Sequence, residues 1–161
     1  MVKLLDEGLY NMSQVIEKCL GKKTADLPGA GAAGGFGAGC VAFFDAELSP
    51  GIETVLDTVG FDDLLDDTDV VFTGEGRIDG QSLRGKVVVG VAKRAKAKNV
   101  PVVAVVGDVQ DDAYGAYDIG VTAIFSTNRL AIPFHDAVTR SRQDYIHTFE
   151  DVLRLMKALT K

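Results

Sequence analysis

Tryptophan is absent from this sequence, and cysteine, histidine and proline are scarce: two, two and four residues in a chain of 161. Cys19 and Cys40 have no partner at metal-ligand spacing, and two thiols build no disulfide framework. Both fall in apolar patterns and are expected in the core of a cytoplasmic protein. His135 and His147 stand alone, which leaves no zinc set. No apolar run approaches the roughly 18 residues that span a bilayer, and the sequence reads without a signal peptide. Positive charge is also short, 17 Lys and Arg against 23 Asp and Glu, for a net charge of −6. With no positive field to draw in a polyanion, nonspecific nucleic-acid binding is excluded, while a local basic pocket for a small anion is not.

Hydrophobic residues make up 47% of the chain and charged residues 25%. That balance belongs to a folded globular protein, of a size for one domain or parts of two. The 18 glycines are unevenly spread. One cluster holds Gly29, Gly31, Gly34, Gly35, Gly37 and Gly39; another holds Gly74, Gly76, Gly80, Gly85 and Gly90. Clustered glycine marks backbone conformations or close approaches that a side chain forbids, and so points to ligand sites.

Leu5, Leu9, Met12, Ile16 and Cys19 recur at helical spacing, predicting a helix over 3–19 that Gly21 ends. A polar connector and the first glycine cluster lead to Phe36–Phe44, which reads as a packed helix. Ser49 and Pro50 open another helix, to about residue 59. The pattern then changes. Val70–Phe72 reads as a short buried strand after the acidic segment 62–69. Residues 87–98 read as a helix, with Val88, Val91, Ala92 and Ala95 inward and Lys93, Arg94, Lys96 and Lys98 on a solvated face. Val100–Val106 is a second buried strand, 112–118 a short helix and Val121–Ser126 a third strand. A terminal helix over 140–159 carries Tyr145, Phe149, Val152, Met156 and Leu159 on one face. From residue 65 onward the order is β-α-β-α-β-α, which implies an α/β fold, a parallel sheet with helices on its faces. A doubly wound sheet normally has five or six strands. Residues 1–60 supply no clear strand, so the chain reads as a piece of something larger or as one that pairs with another chain.

Three motifs carry candidate chemistry. Gly29–Gly34, GAGAAG, matches the dinucleotide fingerprint literally, but KKTADLP before it is no strand and no βαβ unit surrounds it. The other readings are a helix start where small residues pack closely, and a cradle of backbone N–H groups for an anion. Gly80–Lys86, GQSLRGK, fits the P-loop spacing, yet Val87 stands where Ser or Thr would hold Mg²⁺. What survives is a glycine-lined turn at a helix start with one lysine, an arrangement that favours phosphate. Thr73–Asp79 is the sharpest of the three. The strand should deliver Thr73, Gly74, Glu75 and Gly76 at its carboxyl end, where open α/β sheets bind ligands. Glu75 and Asp79 together could hold Mg²⁺ or accept a proton from a hydroxyl. Equally, Glu75 could cap backbone N–H groups and Asp79 the helix that follows. Asp108, Ser126 and Asn128 follow the other two strands and face the same edge.

Taken in order, PGAGAAGGFGAG (Pro28–Gly39), LSPGIETVL (Leu48–Leu56), DVVFTGEGRIDGQSLRGK (Asp69–Lys86), VPVVAVVGDV (Val100–Val109) and IFSTN (Ile124–Asn128) resemble the type I glycerate kinases. The resemblance runs from about Leu4 to the C-terminus. It implies a cytoplasmic enzyme that uses ATP and Mg²⁺ to phosphorylate D-glycerate, with 2-phosphoglycerate as product. It further implies a Rossmann- or flavodoxin-like domain made from both ends of a longer chain, with a second domain inserted. Residues 65–161 would belong to the former and 1–64 to the latter. On this reading Glu75, Asp79 and Lys86 would be catalytic: Lys86 would neutralise phosphate oxygens, and Glu75 and Asp79 would hold Mg²⁺ as metal ligands or orient the substrate hydroxyl. Gly29, Gly31, Gly34, Gly35, Thr73, Gly74, Gly76, Gln81, Ser82 and Gly85 would bind substrate or phosphate. Position 82 is Ser where the family usually has Thr. The D-S-F-K-G-type motif and PQKG segment of the family's N-terminal half do not occur here. The expected partners are therefore D-glycerate, ATP and either the missing half or a second copy, with no nucleic acid and no membrane. The alternative is a non-catalytic fragment or a small-molecule or nucleotide-binding module.

Overall fold

The computed structural model describes residues 1–160. Its centre is set by strand alternation. β1 (Val71–Thr73), β3 (Val102–Val106) and β5 (Val121–Ser126) form a parallel sheet in the order β1-β3-β5. All five residues of β3 are buried, as a middle strand covered on both faces requires. Val102, Ala104 and Val106 join a cluster with Val88, Ala92 and Ala95 of α5 (Val87–Ala97) and Ala116 of α6 (Ala116–Ile119). Val103 and Val105 point the other way, against Phe149, Val152 and Met156 of α7 (Phe134–Leu159). Helix, sheet and helix therefore make three layers.

The chain divides into compact units at Pro50, with residues 1–50 in one and the rest in the other. In this division α3 (Gly51–Thr58) and α4 (Phe61–Leu64) go with α5. A Cβ built on Gly90 would lie 2.5 Å from Ile52 Cγ1, so the absence of a side chain lets α3 sit against α5. Arg94 was expected on a solvated face with Lys93, Lys96 and Lys98. Instead its side chain is 17% exposed and reaches Glu53 at 2.7 Å, Asp57 at 2.5 Å and Asp62 at 3.3 Å. The Glu53 and Asp57 hydrogen bonds hold the guanidinium more basic than usual. Arg94→Ala should lower the melting temperature more than Lys93→Ala, because it leaves three carboxylates facing one another; equal melting curves for the two variants would contradict this clamp.

In the first unit α1 (Val2–Leu20) ends, as expected, at Gly21 in the left-handed conformation. Its expected inner face is mostly open. Ser13 and Ile16 are buried, while Leu5 and Cys19 are exposed. Cys19 is therefore not a core residue, because α1 meets α2 (Ala32–Phe44) along a narrow strip. There Gly35 lies under Leu9 and Met12, and a Cβ on it would come within 2.7 Å of Leu9 Cδ2. In α2 the small residues Ala38 and Ala42 face inward, whereas Phe36, Phe43 and Phe44 remain exposed. Lys22 Nζ donates to the carbonyls of Val41 (3.1 Å) and Ala42 (2.8 Å) and to Asp45, so a cation holds the negative end of α2.

Candidate active site

Parallel strands end on one edge, and here that edge gathers Thr73, Val106 and Ser126. Two glycines let the loops beyond them press together. A Cβ on Gly74 would lie 2.4 Å from the Val105 carbonyl oxygen, and one on Gly107 would lie 2.3 Å from that of Gly76. The Gly107 N–H donates to the Glu75 carbonyl at 3.1 Å, and that of Thr127 to the Val106 carbonyl at 2.8 Å. The two loops then pair again as a parallel ribbon of β2 (Arg77–Ile78) and β4 (Asp108–Val109). Ile78 is fully buried beneath it, and Arg77 Nε lies 3.4 Å from Asp108 Oδ2. The strand-end loop is thus fixed on both sides of Glu75.

Glu75 and Asp79 converge, and what they converge on is Ser82. Ser82 Oγ lies 3.1 Å from Glu75 Oε2 and 3.3 Å from Asp79 Oδ1. Glu75 Oε1 accepts the Val88 N–H at the start of α5 at 3.3 Å. Asp79 Oδ1 accepts the N–H groups of Gln81 and Ser82, both at 3.0 Å, and so caps the 3₁₀ turn Ser82–Arg84. The capping roles are therefore realised for both carboxylates. Ser82 is fully buried and presents no surface to a ligand; here it holds the two acids in register. After the turn, Gly85 adopts φ 101°, which favours glycine, and brings Lys86 to the N-cap of α5 with its side chain exposed.

The Ser82 N–H, then the nearby charge of Lys86 and the Gln81 N–H, hold the Asp79 carboxyl below its ordinary 3.8. Asp79 is ionised at neutral pH and is a weak proton acceptor there, which suits a charge-holding role better than that of a general base. A lowered folded value contributes stability above the unfolded value, lost as pH falls through the folded one. Amide exchange at Gln81 and Ser82 should consequently be insensitive to Asp79 protonation above about pH 5 and rise only below 3.8. A transition in these amides between pH 5 and 7 would contradict the assignment.

Three neighbouring cavities open on this edge. Thr73, Gly74, Glu75 and Gly76 line the first, together with Arg142, Tyr145 and Phe149 of α7. Asp108 and Asn128 line the second, beside Gly76 and Gly107. Asp79 and Gln81 line the third with Asp111 and Asp112. Ser126 is a turn residue: its hydroxyl donates to the Gly107 carbonyl at 3.2 Å and accepts the Asn128 N–H at 3.0 Å. Sequence reasoning missed Arg142 and placed Tyr145 with the core. The available signal was their spacing, Arg142 lying one turn before Tyr145 on the same helix.

The first glycine cluster lies in the other unit. Gly29, Gly34 and Gly35 have φ of 84°, 70° and 83°, and Ala33 joins them at 50°. Residues 21–31 contain no strand, so the dinucleotide fingerprint lacks its context. As an anion cradle the loop is narrower than expected. The Gly35 N–H is committed to the Gly31 carbonyl at 3.2 Å, and Gly35 itself is buried.

Among the described residues no group of three or more His, Cys, Asp or Glu side chains is placed to hold a metal. Mg²⁺ needs only one or two carboxylates when phosphate oxygens complete its shell. Glu75 fits that role poorly, since both its oxygens already accept protein hydrogen bonds. Asp79 fits it, because Oδ2 makes no hydrogen bond among the described residues and the side chain lines an open cavity.

The sequence profile of the glycerate kinase family matches residues 1–157. A glycerate kinase of Bacillus subtilis is 38% identical over 157 residues, 98% of this chain and 41% of that protein. One from Halalkalibacterium halodurans is 49% identical over 78% of this chain and 33% of its own length. The glycerate 2-kinase of Escherichia coli is 44% identical over the same shares, 78% and 33%. A crystal structure assigned to glycerate kinase 2 of Salmonella typhimurium LT2 superposes with a TM-score of 0.67 at 36% identity, covering 94% of this chain and 38% of that one. The chain thus spans about two fifths or less of the relatives it matches.

Proposed function

Because the chain belongs to the glycerate kinase family, we propose that its strand-end loop is the phosphate-handling part of an ATP-dependent D-glycerate kinase. The observation that carries this reading is the immobilised edge: Glu75 and Asp79 locked on buried Ser82, with Lys86 exposed at the start of α5. Phosphoryl transfer runs on positioning and charge neutralisation, and an edge with no slack supplies the first. Lys86 would neutralise phosphate oxygens. The backbone at Gly74 and Gly76 would approach them closely, since neither carries a side chain. Asp79 would hold Mg²⁺ through Oδ2, and the ion when bound would screen the charge between the phosphates. Glu75 would orient the start of α5 rather than touch the metal.

The finer points are part of the same proposal. Phosphorylation at the 2-hydroxyl, giving 2-phosphoglycerate, is supported by the name of the Escherichia coli relative. Residues 1–64 would complete an inserted domain and 65–161 a Rossmann-like one, in a cytoplasmic enzyme. Gly29, Gly31 and Gly34 would face the carboxylate of glycerate. Incubating the chain with ATP, Mg²⁺ and D-glycerate and following ³¹P NMR tests this: a 2-phosphoglycerate signal above background supports it. The second reading is a non-catalytic module, favoured by Ser82 being fully buried and both Glu75 oxygens being engaged within the protein. ATP consumption no faster than without glycerate, under conditions where ATP binds, would establish that reading instead.

A further inference from the structure

After β5 the chain crosses to the opposite face of the sheet, and α7 runs back over Val103 and Val105. A crevice remains between α7 and the carboxyl ends of β1 and β3. Its two walls differ in kind. One is backbone, at Gly74 and Gly107, where side chains are forbidden by contact with neighbouring carbonyls. The other is aromatic: the rings of Tyr145 and Phe149 lie 5.7 Å apart, and those of Phe149 and Phe72 4.7 Å. Tyr145, although spaced with the apolar face of α7, is 48% exposed and turned to this opening.

Arg142 supplies the charge. Arg140 pairs with Asp144 at 3.0 Å and Arg129 with Asp151 at 2.8 Å. Arg142, on the same helix as Arg140, makes no ion pair among the described residues and lines the crevice. Lys86 does not line it, so Arg142 is a second and separate cation at the site. A half-exposed tyrosine ring, a free guanidinium and a floor of bare backbone complement a nucleoside polyphosphate. The base stacks, the guanidinium takes phosphate oxygens in a fork, and nothing on the floor obstructs close approach.

We propose that this crevice seats the adenine nucleotide, with Tyr145 stacking on the base and Arg142 pairing with phosphate oxygens. The assignment rests on the ATP-dependent reading above. Calorimetric titration of the chain with ATP, adenosine and inorganic tripolyphosphate tests it and separates it from that reading. Arg142→Ala should weaken ATP and tripolyphosphate about tenfold and leave adenosine unchanged. Tyr145→Ala should weaken ATP and adenosine about tenfold and spare tripolyphosphate. Arg142 is exposed and without an ion pair among the described residues, so Arg142→Ala should melt with the parent, while Tyr145→Ala, which loses its contact with Phe149, should stay folded with a melting temperature only a few degrees lower. If the parent binds ATP and both variants bind it equally well, the crevice is overturned while the kinase reading stands. If the parent binds no ATP, both fall.

Discussion

Gly107→Ala is expected to be among the most destabilising single-methyl changes in this chain. The added carbon would lie 2.3 Å from the Gly76 carbonyl oxygen, a backbone atom held by the β2–β4 ribbon. Relief requires moving a whole loop, because no flexible side chain is there to give way. Overpacking of this kind costs about 3 kcal/mol, which for a chain of this length lowers the melting temperature by roughly 10 °C. Gly76→Ala provides the control. A Cβ there meets nothing within 4 Å, so it should shift stability by less than about 0.5 kcal/mol. Circular dichroism melts of the two variants decide the matter, and similar losses at both positions would mean that the edge is not pressed together as described.

The second large effect falls on turnover. In the protein that shows D-glycerate kinase activity, Lys86→Ala and Asp79→Asn should each reduce kcat by about 100-fold or more, the scale of losing one charge that meets the transition state. The two should separate in other respects. The Lys86 side chain is exposed and makes no hydrogen bond among the described residues, so its loss should leave the melting curve in place. Asp79 also caps the turn at Ser82, and Asn retains a carbonyl oxygen for those N–H groups. Folding therefore survives while the negative charge is lost, and raising Mg²⁺ should recover part of the rate in Asp79→Asn and none in Lys86→Ala. Near-normal kcat in both variants would remove this loop from the chemistry.

Much of this arrangement is legible in the residues because it follows simple periods. The unbroken apolar run Val102–Val106 marks a strand covered on both faces, the helical spacing of Val88, Val91, Ala92 and Ala95 marks one inward face, and the structure buries all of them. Thr73–Gly76 could be placed at a strand end for the same reason. Features that depend on chain segments meeting were not legible. The β2–β4 pair has two residues per strand, too few to show a period. Arg94 looks like its lysine neighbours until α3 and α4 bring Glu53, Asp57 and Asp62 to it. The first turns of α7 carry Phe134 and Val138 exposed, so no inward face marks where that helix begins. Leu5 and Cys19 have the spacing of a core face, yet both are exposed. At the site, the motif contained both carboxylates and Ser82, whereas their meeting point is a product of the 3₁₀ turn.

That meeting point supports Thr73–Lys86 as the edge where phosphate is handled. The most direct measurement is an amide ¹H–¹⁵N map of the chain titrated with ATP and Mg²⁺. The largest shifts are expected at Gly74, Gly76 and the Lys86–Val88 amides, saturating together. Saturable shifts confined to Gly29–Gly35, with the Thr73–Lys86 amides unmoved, would contradict it.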